Sequence, residues 1–307
     1  GNLLFTRDIG RESEWIREGL DLVLKDINRR FTAPLALPRS VPTPHNREVR
    51  SVLDRLDQLV DELIAERRGR EEEYEDLLSM LMLAEDEETG EQMSDQQIHD
   101  EVLTFVVAGH ETTANALAWA LYLLSENPSV RKRLEAEVDE VVSGRLPTLE
   151  EMGELDYTEQ VLDEVLRMYP PAWSVGRTPK EDDEVLGYHI PAGSIVTVGP
   201  YFVHHNPEVW EDPETFDPSR FGPDGQTPDH RFAHFPFGGG PRKCVGADLA
   251  VQESKLVLVA IARQFRLDLV EGHPVEPEAT VTITPRHGLE MIVESRYNSR
   301  SNPQRSK

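Results

Sequence analysis

The sequence predicts a mainly α-helical protein with minor β structure, and three observations carry that reading. Apolar residues recur every three or four positions over 13–30 and 46–70, as helices with one buried face require. The run from Ser94 to Pro128 is long and apolar enough to be a central helix. The β-favouring runs are short and lie mostly between 173 and 198 and near the C-terminus.

The two amphipathic stretches are joined by the proline-rich "TAPLALPRSVPTP". Residues 85–93, "EDEETGEQM", read as a solvated acidic turn. Ser94 with Gln97 then forms a capping box, and the next strong stop is Pro128. A helix of about 33 residues, roughly 50 Å long, fits between them. A shorter charged helix runs from Pro128 to Ser143 and stops at Gly144, and another runs from Asp156 to Met168, stopped by Pro170-Pro171. "VLGYHI" and "SIVTV", punctuated by Pro191-Ala192-Gly193, read as a small sheet. Residues 206–231 are turn-rich with little periodicity, and a glycine-rich loop at 238–240 leads into a helix from Gly246 to Phe265. "RLDLV", "TVTIT" and "LEMIVE" read as short strands, and 296–307 as a flexible tail. No internal repeat occurs, and residues 1–295 read as a single domain.

The 307 residues are 38% apolar, compatible with a sizeable core. A net charge of −25 and a pI near 4.8 argue against nucleic acid and anionic membrane as partners, since a polyanion would be repelled. Only six of the cations are Lys, and an acidic, Lys-poor surface suits high salt, where screening relieves self-repulsion. Cys244 is the single cysteine, so no intramolecular disulfide can form and a reducing, cytoplasmic setting is expected. The longest apolar candidate, 102–124, is broken by a Glu and a His and is not a membrane span. The chain opens on Gly1, and Leu3-Leu4-Phe5 reads like the interior of an element, so further chain is expected ahead of it.

Inside the long helix, "AGHETT" places Gly109, His110, Glu111, Thr112 and Thr113 between apolar flanks. His110-Glu111 would open a zinc-protease helix only with a second His at 114, which is Ala114. A solvated face is the plain alternative, opposed by apolar flanks nearly all round the helix. A buried Thr hydroxyl bonding back to a carbonyl loosens a helix, and Gly109 weakens it further, leaving room for a small ligand. An acid, an alcohol and a gap together make a proton path.

Cys244 sits in "FPFGGGPRKCVG". A lone cysteine is ordinarily a small buried hydrophobe. Here a tight glycine loop, Arg242, Lys243 and a helix start near Gly246 surround it with features that suit a thiolate. A phosphate-binding loop is the rival reading, but Pro241 has no N–H to donate and no Gly-Lys-Ser/Thr follows. Glu164 and Arg167, taken alone, are an ordinary surface ion pair worth about a few tenths of a kcal/mol. Arg177 in "VGRTP" and Arg220 in "FDPSRF" lie in loops and are candidates for fixed ion pairs.

Together and in this order, these stretches resemble the cytochrome P-450 haem-thiolate monooxygenases over about residues 1–295. Phe237, Gly240, Cys244 and Gly246 match the family's haem-binding signature, "AGHETT" its oxygen-activation motif, "EVLR" its Glu-x-x-Arg helix and "FDPSRF" its meander motif. The resemblance implies the C-terminal two-thirds of that fold: long central helix, Glu-x-x-Arg helix, meander, Cys loop and following helix. It implies haem b with Cys244 as the proximal thiolate on iron, Phe237 beside the sulfur, and Arg242 and Arg177 on the propionates. Glu111 and Thr112 would relay protons to dioxygen, with Ala108 and Gly109 leaving space for it. Glu164, Arg167 and Arg220 would form a buried network holding the meander. The implied reaction inserts one atom of O₂ into a lipophilic substrate, with electrons from a separate ferredoxin- or flavoprotein-type donor. The family's usual N-terminal portion would precede residue 1. A peroxide-using haem enzyme and a haem-poor, non-enzymatic remnant are the alternatives.

Overall fold

The computed structural model describes residues 13–33, 37–69, 76–144, 146–225 and 227–296. Its helices are α1 (Ser13–Thr32), α2 (Pro44–Arg68), α3 (Leu77–Leu83), α4 (Asp95–Glu126), α5 (Pro128–Val141), α6 (Leu149–Gly153), α7 (Asp156–Met168), α8 (Pro200–His204) and α9 (Ala247–Ala262). The strands form antiparallel pairs: β1 (Val175–Arg177) with β4 (Val196–Val198), β2 (Asp183–Val185) with β3 (Tyr188–Ile190), β5 (Phe265–Leu269) with β8 (Met291–Ser295), and β6 (Pro277–Ala279) with β7 (Ile283–Pro285). The chain divides into two compact units, residues 1–110 and 111–307.

In the first unit, Thr43 caps α2 by accepting from the Asn46 amide at 3.0 Å, with Pro44 preset for the first turn. Ile16, Leu20 and Leu56 pack α1 on α2, and Val60, Leu63 and Ile64 meet Leu78, Ile98 and Val102 in a second cluster. The connection after α1 is tied down through the fully buried Asp26, which accepts from Arg29, Arg30, Arg39 and His45. Burial works to raise the Asp26 pKa, but those four partners outweigh it and hold the carboxyl well below its usual range.

Helix α3, "LLSMLML", is absent from the sequence-based expectation because seven apolar-rich residues carry no periodicity. Its start is set by Asp76, which accepts from the Ser79 amide at 2.9 Å and holds Arg67 by a fork of 2.6 and 2.7 Å. Helix α4 opens with the expected capping box: Ser94 N donates to Gln97 Oε1 at 2.9 Å and Gln97 N to Ser94 Oγ at 3.3 Å. The expected loosening around Gly109 does not break it, for the helix is continuous over its 32 residues. A helical glycine costs only about 1 kcal/mol, too little to interrupt a helix bonded on both sides. Ala108, Gly109 and His110 are exposed, so burial all round the helix is also not what the structure has.

The core of the second unit joins Trp119, Ala120 and Leu123 of α4 to Leu134 and Val138 of α5, Val161 and Val165 of α7, and Leu258 and Val259 of α9. Two expected strands are corrected. "VLGYHI" bends into a hairpin, with Leu186 and Gly187 at φ 54° and 84° between β2 and β3, the left-handed pair that a tight hairpin needs. "TVTIT" is mostly a turn: the Thr280 amide and hydroxyl both donate to the Thr282 carbonyl, at 3.0 and 2.9 Å, overriding the β propensity of these residues. The expected tail from 296 onward lies outside the described residues save for Arg296, which is tied to Asp139 at 2.6 Å. Among the described residues, no helix is long and apolar enough to cross a membrane.

Candidate active site

The thiol loop is shaped by its backbone. Gly238 and Gly240 both have φ 71°, in the left-handed region where a side chain is strained. Between them the loop closes on itself: Gly238 N donates to Phe235 O at 2.9 Å, Lys243 N to Gly240 O at 3.1 Å, and Cys244 N to Phe237 O at 3.0 Å. Gly246 then caps α9, and a Cβ there would lie 4.0 Å from Cys244 Sγ. The thiol is exposed.

Cys244 lines a cavity of about 240 Å³. Helix α4 contributes Thr112, Thr113 and Ala116, α7 contributes Leu162, Val165 and Leu166, and α9 contributes Ala250 and Val251. Arg177 comes from β1, while Phe237 and Arg242 come from the glycine loop. Thr112, Arg177, Phe237, Arg242 and Cys244, all singled out in the sequence, thus meet in one place, from segments up to more than a hundred residues apart. Glu111 is not part of the lining; its Oε1 accepts from Thr282 Oγ1 at 2.6 Å. Gly109, in the first unit beside Ala108, faces open space, since a Cβ there would meet nothing within 4 Å.

Arg177 does not form the fixed ion pair expected of it; its Nη1 donates to the Gly176 carbonyl at 2.8 Å. Among the described residues neither Arg177 nor Arg242 has a carboxylate within 4.0 Å. In a chain with 57 acidic side chains, two such arginines beside one apolar cavity leave cationic capacity for an anionic ligand with a hydrophobic body. A larger hollow of about 420 Å³ is lined by Asp156, Glu159 and Asp163, and burial with neighbouring Glu159 and Glu164 pushes Asp163 up to about 7. Its described lining residues include neither thiol nor cation, and Lys255 Nζ donates to Glu159 at 2.9 Å.

On α7, the helix that gives Val165 and Leu166 to the cavity, Arg167 and Glu164 are fully buried, not a surface pair. Arg167 Nε and Nη2 donate to Glu164 at 2.6 and 2.8 Å, Nη1 donates to the His204 carbonyl at 2.8 Å, and Nη2 also reaches the Thr215 carbonyl at 3.3 Å. Arg220 Nε lies 3.5 Å from Glu164 Oε1. His204, which sequence reasoning missed, ties this network to the thiol loop: Nδ1 donates to the Arg167 carbonyl at 3.1 Å, and Nε2 accepts from the Phe235 amide at 3.0 Å. Burial, reinforced by His234, pushes its pKa down to about 3, which keeps the ring neutral and Nε2 free to accept. Nothing local in "YFVHHNP" signals this role, and the sequence is equally silent on Thr282 and Asn115.

Residues 2–291 match the model of the family described as Cytochrome P450. A cyclooctat-9-en-7-ol 5-monooxygenase of Streptomyces melanosporofaciens is 43% identical over 256 residues, 83% of this chain and 56% of that protein. A cyclooctatin synthase of the same organism is 40% identical over 282 residues, 92% of this chain and 61% of that protein. The crystal structure of the cytochrome P450DA heme domain superposes with a TM-score of 0.87 at 31% identity, covering 96% of this chain and 65% of that one. The chain therefore spans about 56–61% of the length of these two curated relatives.

Proposed function

The chain belongs to the cytochrome P450 family, and from that premise we propose that it forms the haem-binding and oxygen-activating part of a monooxygenase. The reaction would take a substrate C–H bond, O₂, two electrons and two protons to a C–OH group and water. Haem b, when bound, supplies the oxygen activation and the redox chemistry. The observation that carries this reading is the shared cavity of Cys244, Arg177, Arg242 and Thr112.

The residues present fit that group. Cys244 would give a thiolate to the iron, and Arg177 and Arg242, with no carboxylate within reach among the described residues, would hold the two propionates. Phe237 shares the cavity wall with the sulfur and would pack beside it. Thr112 would hold a proton donor inside the cavity, with Glu111, next in the chain, feeding it from solvent. Ala108 and Gly109, one turn back, carry the least side chain and would leave O₂ room. Electrons would come from a ferredoxin- or flavoprotein-type donor, and a lone thiol supports a reducing, cytoplasmic setting. The apolar lining supports a lipophilic substrate, as does a relative named for an unsaturated alcohol.

The carbon monoxide difference spectrum of the reduced, haem-loaded protein tests this. The Soret band is expected at the thiolate-ligated position and is expected to leave it in Cys244→Ser, with product formation falling by about two orders of magnitude or more. A Cys244→Ser protein with the band and turnover of the parent overturns the proposal.

A further inference from the structure

We infer that Thr282, with Asn115 behind it, is a positioning residue for Glu111, fixing the carboxyl from which the cavity draws its protons. The inference rests on the proton-relay role proposed above. Glu111, Asn115 and Trp119 follow one another at four-residue spacing and so lie on one face of α4. That face meets the turn between β6 and β7. Thr282 Oγ1 donates to Glu111 Oε1 at 2.6 Å, Asn115 Nδ2 donates to Thr282 Oγ1 at 3.0 Å, and Trp119 Nε1 donates to the Ile283 carbonyl at 3.1 Å.

A threonine hydroxyl has one proton to give and can accept in return. Because Asn115 donates to the oxygen, that one proton is committed to Glu111. The 2.6 Å separation is at the short end for an O–H···O bond. The turn is a firm support: the Thr280 carbonyl accepts from Trp173 Nε1 at 2.9 Å, and the Ile283 amide donates to the Pro171 carbonyl at 3.1 Å. Thr282 is only 5% exposed, whereas Glu111 is partly exposed, so one carboxyl oxygen is anchored while the group keeps contact with water. Thr112, its neighbour in the chain, lines the cavity. A carboxyl so placed can pass a proton inward and regain one from solvent, with no change in its own net charge over a cycle.

A purely structural role for Thr282 is the competing explanation, and the turn separates the two. Its closure uses the Thr282 carbonyl, not the hydroxyl. Thr282→Val therefore removes the bonds to Glu111 and from Asn115 while keeping shape and turn closure, and Thr282→Ser keeps both.

In haem-loaded protein, Thr282→Val is expected to keep the Soret band of the carbon monoxide complex and to lower the thermal midpoint by only about a few degrees, the loss of two partly buried hydrogen bonds. It is expected to shift the infrared stretch of bound carbon monoxide, which senses polar groups nearby, and to raise the share of electrons lost to peroxide about three- to tenfold, since small misplacements of a catalytic group are costly. Thr282→Ser is expected to restore both readouts. Adding Thr282→Val to Glu111→Gln is expected to change nothing further, because both act through one carboxyl. If the parent has the thiolate-type band but Thr282→Val matches it in stretch and coupling, or its losses add in full to those of Glu111→Gln, this inference falls alone. If the parent lacks that band, the oxygenase reading falls and takes this inference with it.

Discussion

The second unit contains two polar regions of opposite construction. In the Glu164–Arg167–His204 knot, both charged side chains are fully buried, Arg167 donates to three partners, and Glu164 also accepts from the Asp217 amide at 2.9 Å. At the thiol cavity, Cys244, Arg242 and Arg177 are exposed and meet apolar walls, with no carboxylate among the described lining residues. A polar group whose bonds are all made inside the protein has nothing left for a ligand; one left half-satisfied in a concave site does. Satisfaction, more than residue type, separates the arginine that holds the fold from the arginines that can hold a guest.

The strongest way to break this comparison is to remove one arginine from each region. Arg167→Ala strands the Glu164 carboxylate in the core and is expected to cost about 3–5 kcal/mol, read as a shift in the denaturant midpoint at constant slope. Arg177→Ala, at an exposed position with no partner carboxylate, is expected to stay within about 0.5 kcal/mol. Equal losses in the two proteins would mean that the difference in burial carries no energetic weight.

Acid sharpens the same contrast with a smaller effect. His204 is pushed down to about 3 and His234 to about 4, in both cases chiefly by burial, from an ordinary 6.5. The unfolded chain therefore binds protons that the folded one refuses, so their contribution is present above about 6.5 and is lost as the pH falls toward 4 and 3. Protonating His204 also turns Nε2 from acceptor to donor and sets it against the Phe235 amide. Asp163 runs the other way: with its pKa raised to about 7, its ionised form is the strained one, and its contribution improves as the pH falls from 7 toward its unfolded value. The thermal midpoint is expected to drop below about pH 6 in the parent. His204→Gln should lower it at pH 7 and flatten the acid limb, and Asp163→Asn should flatten the neutral limb. A parent midpoint that is level from pH 7 to 4 would exclude this assignment.

What the sequence makes legible follows from where each residue's partners lie. The long helix, its Ser94–Gln97 box and the stops at Pro128 and Pro170 are local signals, and the structure has them. The thiol loop is legible for the same reason: Gly238, Gly240, Arg242 and Cys244 lie within seven residues. Helix α3 is set by Arg67 reaching Asp76 across nine positions, and Thr282 reaches Glu111 across 171, distances at which no periodicity speaks. Glu164 and Arg167 show the opposite failure. Their spacing is plain in the sequence, but its energetic meaning depends on burial, which spacing does not encode. Arg177 likewise reads as an ion-pair candidate, and among the described residues no carboxylate lies within 4.0 Å of it.

The smallest expected effect isolates that last point. Arg286 Nη1 lies 2.8 Å from Glu276 Oε2, close to the Arg167–Glu164 separations, but the two side chains are 50% and 54% exposed. Solvent screens such a pair, and fixing two long side chains costs entropy, so a double-mutant cycle on Arg286→Ala and Glu276→Ala is expected to give a coupling below about 1 kcal/mol. In molar salt, where the screening length falls to about 3 Å, the coupling should vanish, while the Arg167→Ala loss should persist because water and ions do not reach that pair. Geometry is nearly held constant between the two arginines and burial is not, so a coupling above about 2 kcal/mol at Arg286 would show that distance sets their worth.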